Sequence, residues 1–208
     1  MLLKNRRDAG VLLAERIRPH IRAPFLLVGL ARGGVAVAAG VAGELASPFD
    51  VLVVKKLGSP HNPEFAIGAL APDKVSVIHR RDAEKSGMDS VHIEREIELL
   101  SDDIKRGMQR YRKGKKPLAI SGKTVVLIDD GVATGASMEA AVVWARKKHA
   151  ATIIVAVPVA SAPAAATLRG KADVFLSLSI EHTFGAVGEY YEAFPQVTDE
   201  EVIQLLRG

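Results

Sequence analysis

The chain has 208 residues, of which 48% are hydrophobic and 25% are charged. This balance excludes wholesale disorder and is typical of one globular domain. The absence of cysteine excludes disulfides, thiolate nucleophiles and cysteine-based zinc sites. The six histidines form no HxxxH pair, so the sequence indicates no transition-metal site. The net charge of +4 is small and by itself identifies no partner.

The charges are unevenly distributed along the chain. Residues 1–24 and Arg110–Lys116 are rich in Lys and Arg, whereas Asp173–Gly208 is rich in Asp and Glu. Such asymmetry accompanies nucleic-acid binding, a small anionic ligand or a solvated surface, and composition does not choose among them. The start of the chain lacks the apolar run of a signal peptide, and the longest uncharged run, His149–Leu168, contains two prolines. We therefore expect a cytoplasmic protein with no membrane span.

Six apolar runs have the length of strands, and two segments between them have the length of helices. The predicted strands are Phe25–Leu30, Asp50–Val54, Val75–His79, Thr124–Ile128, Thr152–Val157 and Val174–Leu178. The predicted helices are Gly33–Leu45 and Ser137–Lys148. Buried runs that alternate with helices are typical of a parallel sheet covered on both faces. The sequence therefore predicts an α/β fold with a doubly wound, mostly parallel sheet flanked by helices, and ligands at the carboxyl ends of its strands.

Two segments lie outside this alternation, but no long linker separates them, so we predict a single domain over residues 1–208. Residues 88–113 form a charged helical excursion whose apolar side chains recur at helical spacing, at Ile93, Ile97, Leu100, Ile104 and Met108. Residues 179–208 form a C-terminal tail that is rich in aromatic residues. Near its end, Thr198 and Glu201 have the spacing of a helix capping box.

The strongest chemical signal is VVLIDDGVATGAS, residues 125–137. A buried strand ends in two carboxylates, Asp129 and Asp130, which can accept hydrogen bonds from a sugar diol. Gly131 and Gly135 permit close backbone approach in the turn that follows. The backbone N–H groups of this turn and the start of the next helix are suited to a phosphate monoester. Two other glycine-containing segments fail on spacing: Gly29–Gly34 is not G-x-G-x-x-G, and the P-loop-like triplet at 122–124 precedes a strand.

This string closely resembles the binding motif for phosphoribosyl pyrophosphate (PRPP) in type I phosphoribosyltransferases. The resemblance implies that Asp129 and Asp130 hold the ribose hydroxyls, with a substrate-bound Mg²⁺ nearby. It implies that the following turn binds the 5-phosphate, through Gly131, Val132, Ala133, Thr134, Gly135, Ala136 and Ser137. The 6-oxopurine members have a general-base Asp where this chain has Ala133, which argues against hypoxanthine and guanine as acceptors.

The resemblance also implies a pyrophosphate loop after the first strand, often with a non-proline cis peptide. Ala31, Arg32, Gly33 and Gly34 lie in that place, and the bond between Ala31 and Arg32 is the candidate for the cis peptide. Arg32 would face pyrophosphate together with Lys55 or Lys56, which follow the second strand. Residues 57–72 would form the mobile lid that closes over substrate in the family.

The resemblance further implies that residues 179–208 form a small C-terminal hood, which is the variable, base-recognising part of these enzymes. Its candidates for stacking on a base are Phe184, Tyr190 and Tyr191, although aromatic residues near a C-terminus often serve as docking anchors. The acceptor base itself is not specified by the sequence.

The resemblance implies a phosphoribosyltransferase that uses PRPP and Mg²⁺ to transfer 5-phosphoribosyl to a nitrogenous base and releases pyrophosphate. The alternatives from other classes are a non-catalytic PRPP or nucleotide sensor on the same fold, and a hydrolase that uses the two carboxylates. We expect small-molecule partners, without a membrane and without nucleic acid as the main ligand. A homodimer is common in the family, and the apolar stripe on 88–113 would either supply its interface or cover the domain.

Overall fold

A computed structural model describes residues 1–59, 62–117 and 119–207, without the side chains of residues 59, 62–66, 80 and 82. Five strands form a parallel sheet in the order β2-β1-β6-β7-β8. They are β1 (Phe25–Leu30), β2 (Phe49–Leu52), β6 (Thr124–Ile128), β7 (Thr152–Ser161) and β8 (Val174–Glu181). This arrangement confirms the predicted α/β class and parallel sheet.

Helices cover both faces of this sheet. Helices α1 (Arg6–Ile17) and α2 (Gly33–Leu45) lie on one face, and α5 (Ala136–Lys147) and α6 (Ala162–Arg169) lie on the other. Alternate residues of a strand enter different cores, as expected from the two-residue period of a strand. In β1, for example, Leu27 packs with α1 and α2, while Leu26 packs in the core that contains α5.

A second, antiparallel sheet was not predicted from the sequence. It consists of β3 (Lys55–Ser59), β4 (Asn62–Ala71) and β5 (Val75–Ile78), in that order. The run at Val75 therefore belongs to this sheet and not to the parallel one. Much of the segment interpreted as a lid, 57–72, forms β3 and β4, and Leu57, Ile67 and Leu70 are fully buried. Residues 60 and 61 within it lie outside the described residues, so its mobility stays a prediction.

The helical excursion is confirmed as α4 (Ser90–Arg112), which follows the short helix α3 (Arg80–Lys85). Asp89 caps its N-terminus by accepting a hydrogen bond from the His92 N–H at 2.8 Å. Four members of the apolar stripe are partly buried and Ile104 is fully packed, all in a core shared with the second sheet. The apolar stripe of α4 therefore packs against the core of its own chain and covers the domain.

The segment 179–208 does not form one continuous hood. After β8 an irregular stretch contains a 3-10 turn at Val187–Tyr190 and packs beside the N-terminal residues, where Leu3 pairs with Tyr191. The last helix, α7 (Asp199–Leu205), lies elsewhere, in the core that contains α4. Thr198 and Glu201 form the predicted capping box at its start. Among the described residues, no helix is long and apolar enough to cross a membrane.

Candidate functional site

The order of the parallel strands places one crevice at the centre of the sheet. The chain moves from β1 outward to β2, and later from β6 outward through β7 to β8. The direction of winding therefore reverses between β1 and β6, which are hydrogen-bonded neighbours. Doubly wound sheets bind ligands at such a switch point, outside the carboxyl ends of the strands. The segments there are 31–34 after β1 and 129–137 after β6, the two that the sequence analysis selected.

The turn after β6 forms the wall of a pocket of about 240 Å³. The pocket is lined by every residue from Asp129 to Met138, together with Lys56 and Val187. Gly135 adopts φ +83°, a left-handed conformation that favours glycine, immediately before α5. The first hydrogen bond of α5 runs from the Glu139 N–H to the Gly135 C=O at 2.8 Å. The preceding N–H groups have no partner within the helix and are available to an anion.

The base of this turn is fixed to β7. The Val132 N–H donates to the Val159 C=O at 2.9 Å, and the Ser161 N–H donates to the Val132 C=O at 2.9 Å. The Ser161 hydroxyl also donates to the Ala133 C=O at 2.6 Å. Ala133 and Thr134 themselves are exposed to the pocket side. These contacts to β7 use the carbonyl groups of Val132 and Ala133 and one N–H of the turn, that of Val132.

The segment after β1 lies directly against the two carboxylates. A Cβ added to Gly33 would lie 1.9 Å from Oδ2 of Asp130, and one added to Gly34 would lie 2.6 Å from the Ile128 carbonyl oxygen. Only glycine fits at these positions without displacement of the acidic pair. The peptide bond between Ala31 and Arg32 is cis, as the resemblance implied.

The structure separates the three cations that the sequence analysis grouped together. Lys56 lines the pocket of the acidic pair, and its charge favours the ionised form of Asp129. Lys55 and Arg32 instead line a different pocket, beside α4. The reason is the alternation of side chains along β3, which sends neighbouring lysines to opposite faces. Arg32 Nη1 lies 3.8 Å from Oδ1 of Asp199 at the start of α7.

The two carboxylates are in an unusual electrostatic environment. Burial, followed by the adjacent charge of Asp130, raises the pKa of Asp129 well above its usual range. Burial also raises the pKa of Asp130, although a hydrogen bond from Arg6 opposes this shift. Perturbed carboxylates in a cleft are typical of functional sites.

Arg6 is the main site residue that the sequence analysis missed. Its Nε donates to Oδ2 of Asp130 at 2.8 Å, and its Nη1 donates to the Pro195 C=O at 2.7 Å. Its guanidinium lies 3.6 Å from the centre of the Phe194 ring. The sequence showed only a basic N-terminal segment, because nothing local indicates a partner 124 residues away.

The three hood aromatics have different environments. Tyr191 is buried, its hydroxyl donates to the Asp130 C=O at 2.6 Å, and its ring packs on Phe194. Tyr191 therefore anchors the C-terminal segment to the backbone of the acidic pair. Phe184 and Tyr190 are half-buried and pack on each other with ring centres 5.0 Å apart. Val187, from the same segment, reaches the pocket wall and would contact a Cβ on Gly131.

The basic run Arg110–Lys116 is partly engaged within the chain. Arg112 forms a largely buried ion pair with Asp50 at 2.8 Å, and Arg110 pairs with Asp199. Lys115 Nζ donates to the Leu206 C=O at 3.3 Å. Part of the basic run therefore forms contacts within the fold, which the pattern of charges in the sequence did not reveal.

The fold and site together define the class: an α/β protein with an acidic pair and an anion-binding turn at the switch point of a parallel sheet. Residues 3–193 match the phosphoribosyl transferase domain family, and the chain belongs to this family. It is 38% identical, over 99% of its length, to the Mycobacterium tuberculosis H37Rv protein named "Putative phosphoribosyl transferase Rv0571c". The match covers 46% of that relative, so the chain spans about half the length of the curated relatives it matches.

Solved structures agree with this assignment of the fold. The crystal structure of TT1426 from Thermus thermophilus is 43% identical, with a TM-score of 0.83. The match covers 99% of this chain and 98% of that chain. The AQ2163 protein from Aquifex aeolicus is 12% identical, with a TM-score of 0.51 over 85% of this chain and 74% of that chain, and shares the fold alone.

Proposed function

We propose that the protein transfers the 5-phosphoribosyl group of PRPP to a nitrogenous base and releases pyrophosphate. The observation that carries the proposal is the joining of two features in one pocket. A pair of partly buried carboxylates, Asp129 and Asp130, continues directly into a turn whose N–H groups at the start of α5 have no partner within the helix. A ribose 5-phosphate carries a diol and a phosphate on one molecule, so the diol can meet the carboxylates while the phosphate meets the turn.

The turn from Gly131 to Ser137 is the proposed 5-phosphate site. Its N–H groups supply hydrogen bonds, and the start of α5 supplies a favourable helix dipole. The Thr134 and Ser137 hydroxyls line the same pocket. The proposed diol site is the acidic pair, in which Asp130 is oriented by Arg6 and Tyr191.

The proposed pyrophosphate side of the pocket is formed by Lys56 and the backbone of 31–34. Lys56 lines the pocket, and Gly33 and Gly34 bring that backbone into contact with the acidic pair. In this conformation the side chains of Arg32 and Lys55 lie outside this pocket. We therefore assign the pyrophosphate contact to Lys56 in preference to Lys55.

The residues present fit a Mg²⁺ that arrives with substrate. Among the described residues no cluster of three or more carboxylate or histidine side chains would hold a metal ion alone. Mg²⁺ is commonly held by one or two carboxylates together with substrate phosphates and water, and Asp129 and Asp130 provide this donor set. When bound, the ion would neutralise charge that develops on the departing pyrophosphate.

The proposed reaction needs no protein nucleophile. A nitrogen of the base forms the bond to C1 of the ribose as the bond from C1 to the pyrophosphate oxygen breaks, with inversion at C1, and the proton on that nitrogen is lost to solvent. The pocket holds the diol and the 5-phosphate so that C1 is positioned, and Lys56 stabilises negative charge on the leaving group. Val187 lines the same pocket and packs close to Gly131.

Calorimetric titration with PRPP in Mg²⁺ tests the binding step. We expect micromolar affinity, on the order of −8 kcal/mol, and at least tenfold weaker binding by the Asp129→Asn/Asp130→Asn variant. Asp102→Asn, an exposed change on α4, is the matched control and should bind as wild type does. Absence of PRPP binding to the wild-type protein would overturn the proposal.

A screen of nucleobases with PRPP, followed by detection of released pyrophosphate, tests the transfer step. Pyrophosphate release with one base and a new nucleoside monophosphate is the expected result. PRPP binding without turnover by any base would favour the sensor hypothesis. Release of ribose 5-phosphate in the absence of any base would favour the hydrolase.

A further inference from the structure

A large pocket lies on the α5 side of the parallel sheet, between α4, α5 and the turn that joins β4 to β5. Its volume is about 940 Å³. Its lining includes Leu26 and Val28 of β1, and Ile120 and Ser121 just before β6. The pocket therefore lies toward the amino ends of these strands, whereas the candidate site lies at their carboxyl ends. None of the described residues lines both pockets, and we call this one the distal pocket.

The interior of the distal pocket is apolar. The apolar side chains that line it include five that are less than a tenth exposed, namely Leu26, Val28, Ile104, Ile120 and Trp144. Met108 of α4 also lines the pocket, and a thioether side chain adapts to ligands of different shape. Sites for small organic molecules are concave and mostly apolar, with volumes of about 300–1,000 Å³. The distal pocket therefore has the size and the lining of such a site.

Trp144, near the end of α5, has an unused hydrogen-bond donor. Its side chain is 7% exposed, and its indole Nε1 is buried without a hydrogen-bond partner among the described residues. Buried polar groups are nearly always paired in folded proteins, so such a donor calls for an explanation. Because Trp144 forms part of the wall of the distal pocket, an acceptor atom of a bound ligand would supply the partner that this donor lacks.

The charged side chains of the distal pocket include more cations than carboxylates. Those that line it are Lys74, Lys105, Arg112, Lys148, Asp50 and Asp73. Both carboxylates are paired within the chain. Arg112 lies 2.8 Å from Asp50, and Lys148 lies 2.8 Å from Asp73. The excess positive charge therefore belongs to the two remaining lysines, Lys74 and Lys105.

These two lysines differ in their partners. Lys74 lies 2.6 Å from Glu98, in an exposed ion pair with α4. Lys105 is also exposed, but it forms no ion pair with another described residue. One cation of the distal pocket is thus without a counter-charge in the part of the chain that the structure describes, and one negative charge on a ligand would complement it.

We propose that the distal pocket binds a small amphiphilic carboxylate, with its apolar body among the buried side chains and its carboxylate paired with Lys105. A carboxylate has two acceptor oxygens, which suit the Lys105 ammonium group and the Trp144 N–H. A neutral apolar molecule would leave Lys105 without a counter-charge, and a compact inorganic anion would leave the apolar interior unfilled. This binding goes beyond the proposed transfer reaction and does not require it.

Titration with decanoate, below the concentration at which it forms micelles, tests the proposal. Trp144 is the reporter, because it is the only tryptophan of the chain. Decanoate should change the Trp144 emission saturably, with a Kd on the order of 100 μM. Lys105→Gln should weaken this binding about fivefold, the upper range for an exposed ion pair. Lys147→Gln, an exposed lysine on α5 outside the pocket, is the matched control and should bind as wild type does.

The uncharged alcohol 1-decanol and the variant Trp144→Phe separate the parts of the interaction. Decanol has the same chain without the charge, so it should bind wild type and Lys105→Gln equally. Trp144→Phe keeps an aromatic ring in the wall and removes the N–H, and calorimetry should show about fivefold weaker decanoate binding. No saturable decanoate binding by wild type would overturn the proposal, and so would unchanged affinity in either variant.

PRPP separates this proposal from the proposed transfer. Saturating PRPP should leave the decanoate affinity unchanged, and the Asp129→Asn/Asp130→Asn variant should bind decanoate as wild type does. Loss of PRPP binding with intact decanoate binding would count against the transfer reaction alone. Displacement of decanoate by PRPP would overturn the distal site, because decanoate would then occupy the substrate pocket.

Discussion

Arg6 Nε lies 2.8 Å from Asp130 Oδ2, so the first helix of the chain supplies the partner of a carboxylate that follows the central strand. Both side chains are largely buried, with 10% and 16% of their surfaces exposed. The same guanidinium donates to Pro195 and packs on Phe194. One residue thus joins the N-terminal helix, the acidic pair and the C-terminal segment.

We expect Arg6→Gln to lower the free energy of unfolding by about 3 kcal/mol, because removal of one partner leaves a buried charge uncompensated. Urea unfolding measures this change. Arg7→Gln is the matched control, since Arg7 is exposed, and it should change stability by less than about 0.5 kcal/mol. Equal free energies of unfolding in the two variants would show that the ion pair of Arg6 and Asp130 does not stabilise the fold.

The same substitution should change how PRPP binding depends on pH. Arg6 lowers the pKa of Asp130, so its loss raises that pKa further. If the ionised carboxylate binds the diol, the affinity of Arg6→Gln for PRPP should fall at a higher pH than that of the wild-type protein as the solution is acidified. Titrations across a pH series measure the midpoint. An unshifted midpoint would indicate that Asp130 does not bind as a carboxylate.

The parallel sheet was predictable because its strands are buried on both faces. Phe25–Leu30 and Thr124–Ile128 were assigned with the bounds that the structure has, since each is an uninterrupted apolar run. The second sheet was missed because β4 contains Asn62, Pro63 and Gly68, which favour a loop. Antiparallel pairing with β3 and β5 overrides that local preference. The sequence showed the apolar stripe of α4 but did not show which part of the core the stripe packs against.

We expect Ile104→Ala to cost about 3 kcal/mol of unfolding free energy, because Ile104 is buried within the core shared by α4 and the second sheet. Leu99→Ala is the control on the same helix, since 59% of Leu99 is exposed, and it should cost less than about 0.5 kcal/mol. Urea unfolding of both variants measures the difference. A cost of Leu99→Ala equal to that of Ile104→Ala would contradict this assignment.

Asp129→Asn should stabilise the protein at neutral pH, by about 1 kcal/mol, the usual size of a stabilising single substitution. Burial raises the pKa of Asp129, so the folded state holds its proton more tightly than the unfolded state does. The cost of ionising Asp129 is therefore absent below the unfolded pKa and fully present above the folded one. The advantage of Asn should be greatest at pH 8 and fade as the pH falls. Unfolding midpoints of the two proteins at several pH values measure this trend, and destabilisation by Asn at pH 8 would contradict it.

The candidate site was predictable where its signal is local. Asp129–Ser137 is contiguous, so one string specifies the strand, carboxylates, turn and helix start. Arg6 and Tyr191 act on Asp130 from opposite ends of the chain, and no spacing rule connects them. The alternation of Lys55 and Lys56 could have been inferred only if β3 had been recognised as a strand.

Gly33→Ala should weaken PRPP binding at least tenfold and destabilise the protein by about 2 kcal/mol, as overpacking of a tight contact does. The added methyl group would lie 1.9 Å from Oδ2 of Asp130, so it must displace the carboxylate or the backbone of 31–34. Gly43→Ala in the same helix is the control, because nothing lies within 4 Å of its added Cβ. It should stabilise the protein by about 0.5 kcal/mol through helix propensity and leave PRPP binding unchanged. Titration and urea unfolding of both variants separate the two effects. If Gly33→Ala bound PRPP with wild-type affinity, the close contact of Gly33 with Asp130 would not matter for PRPP binding.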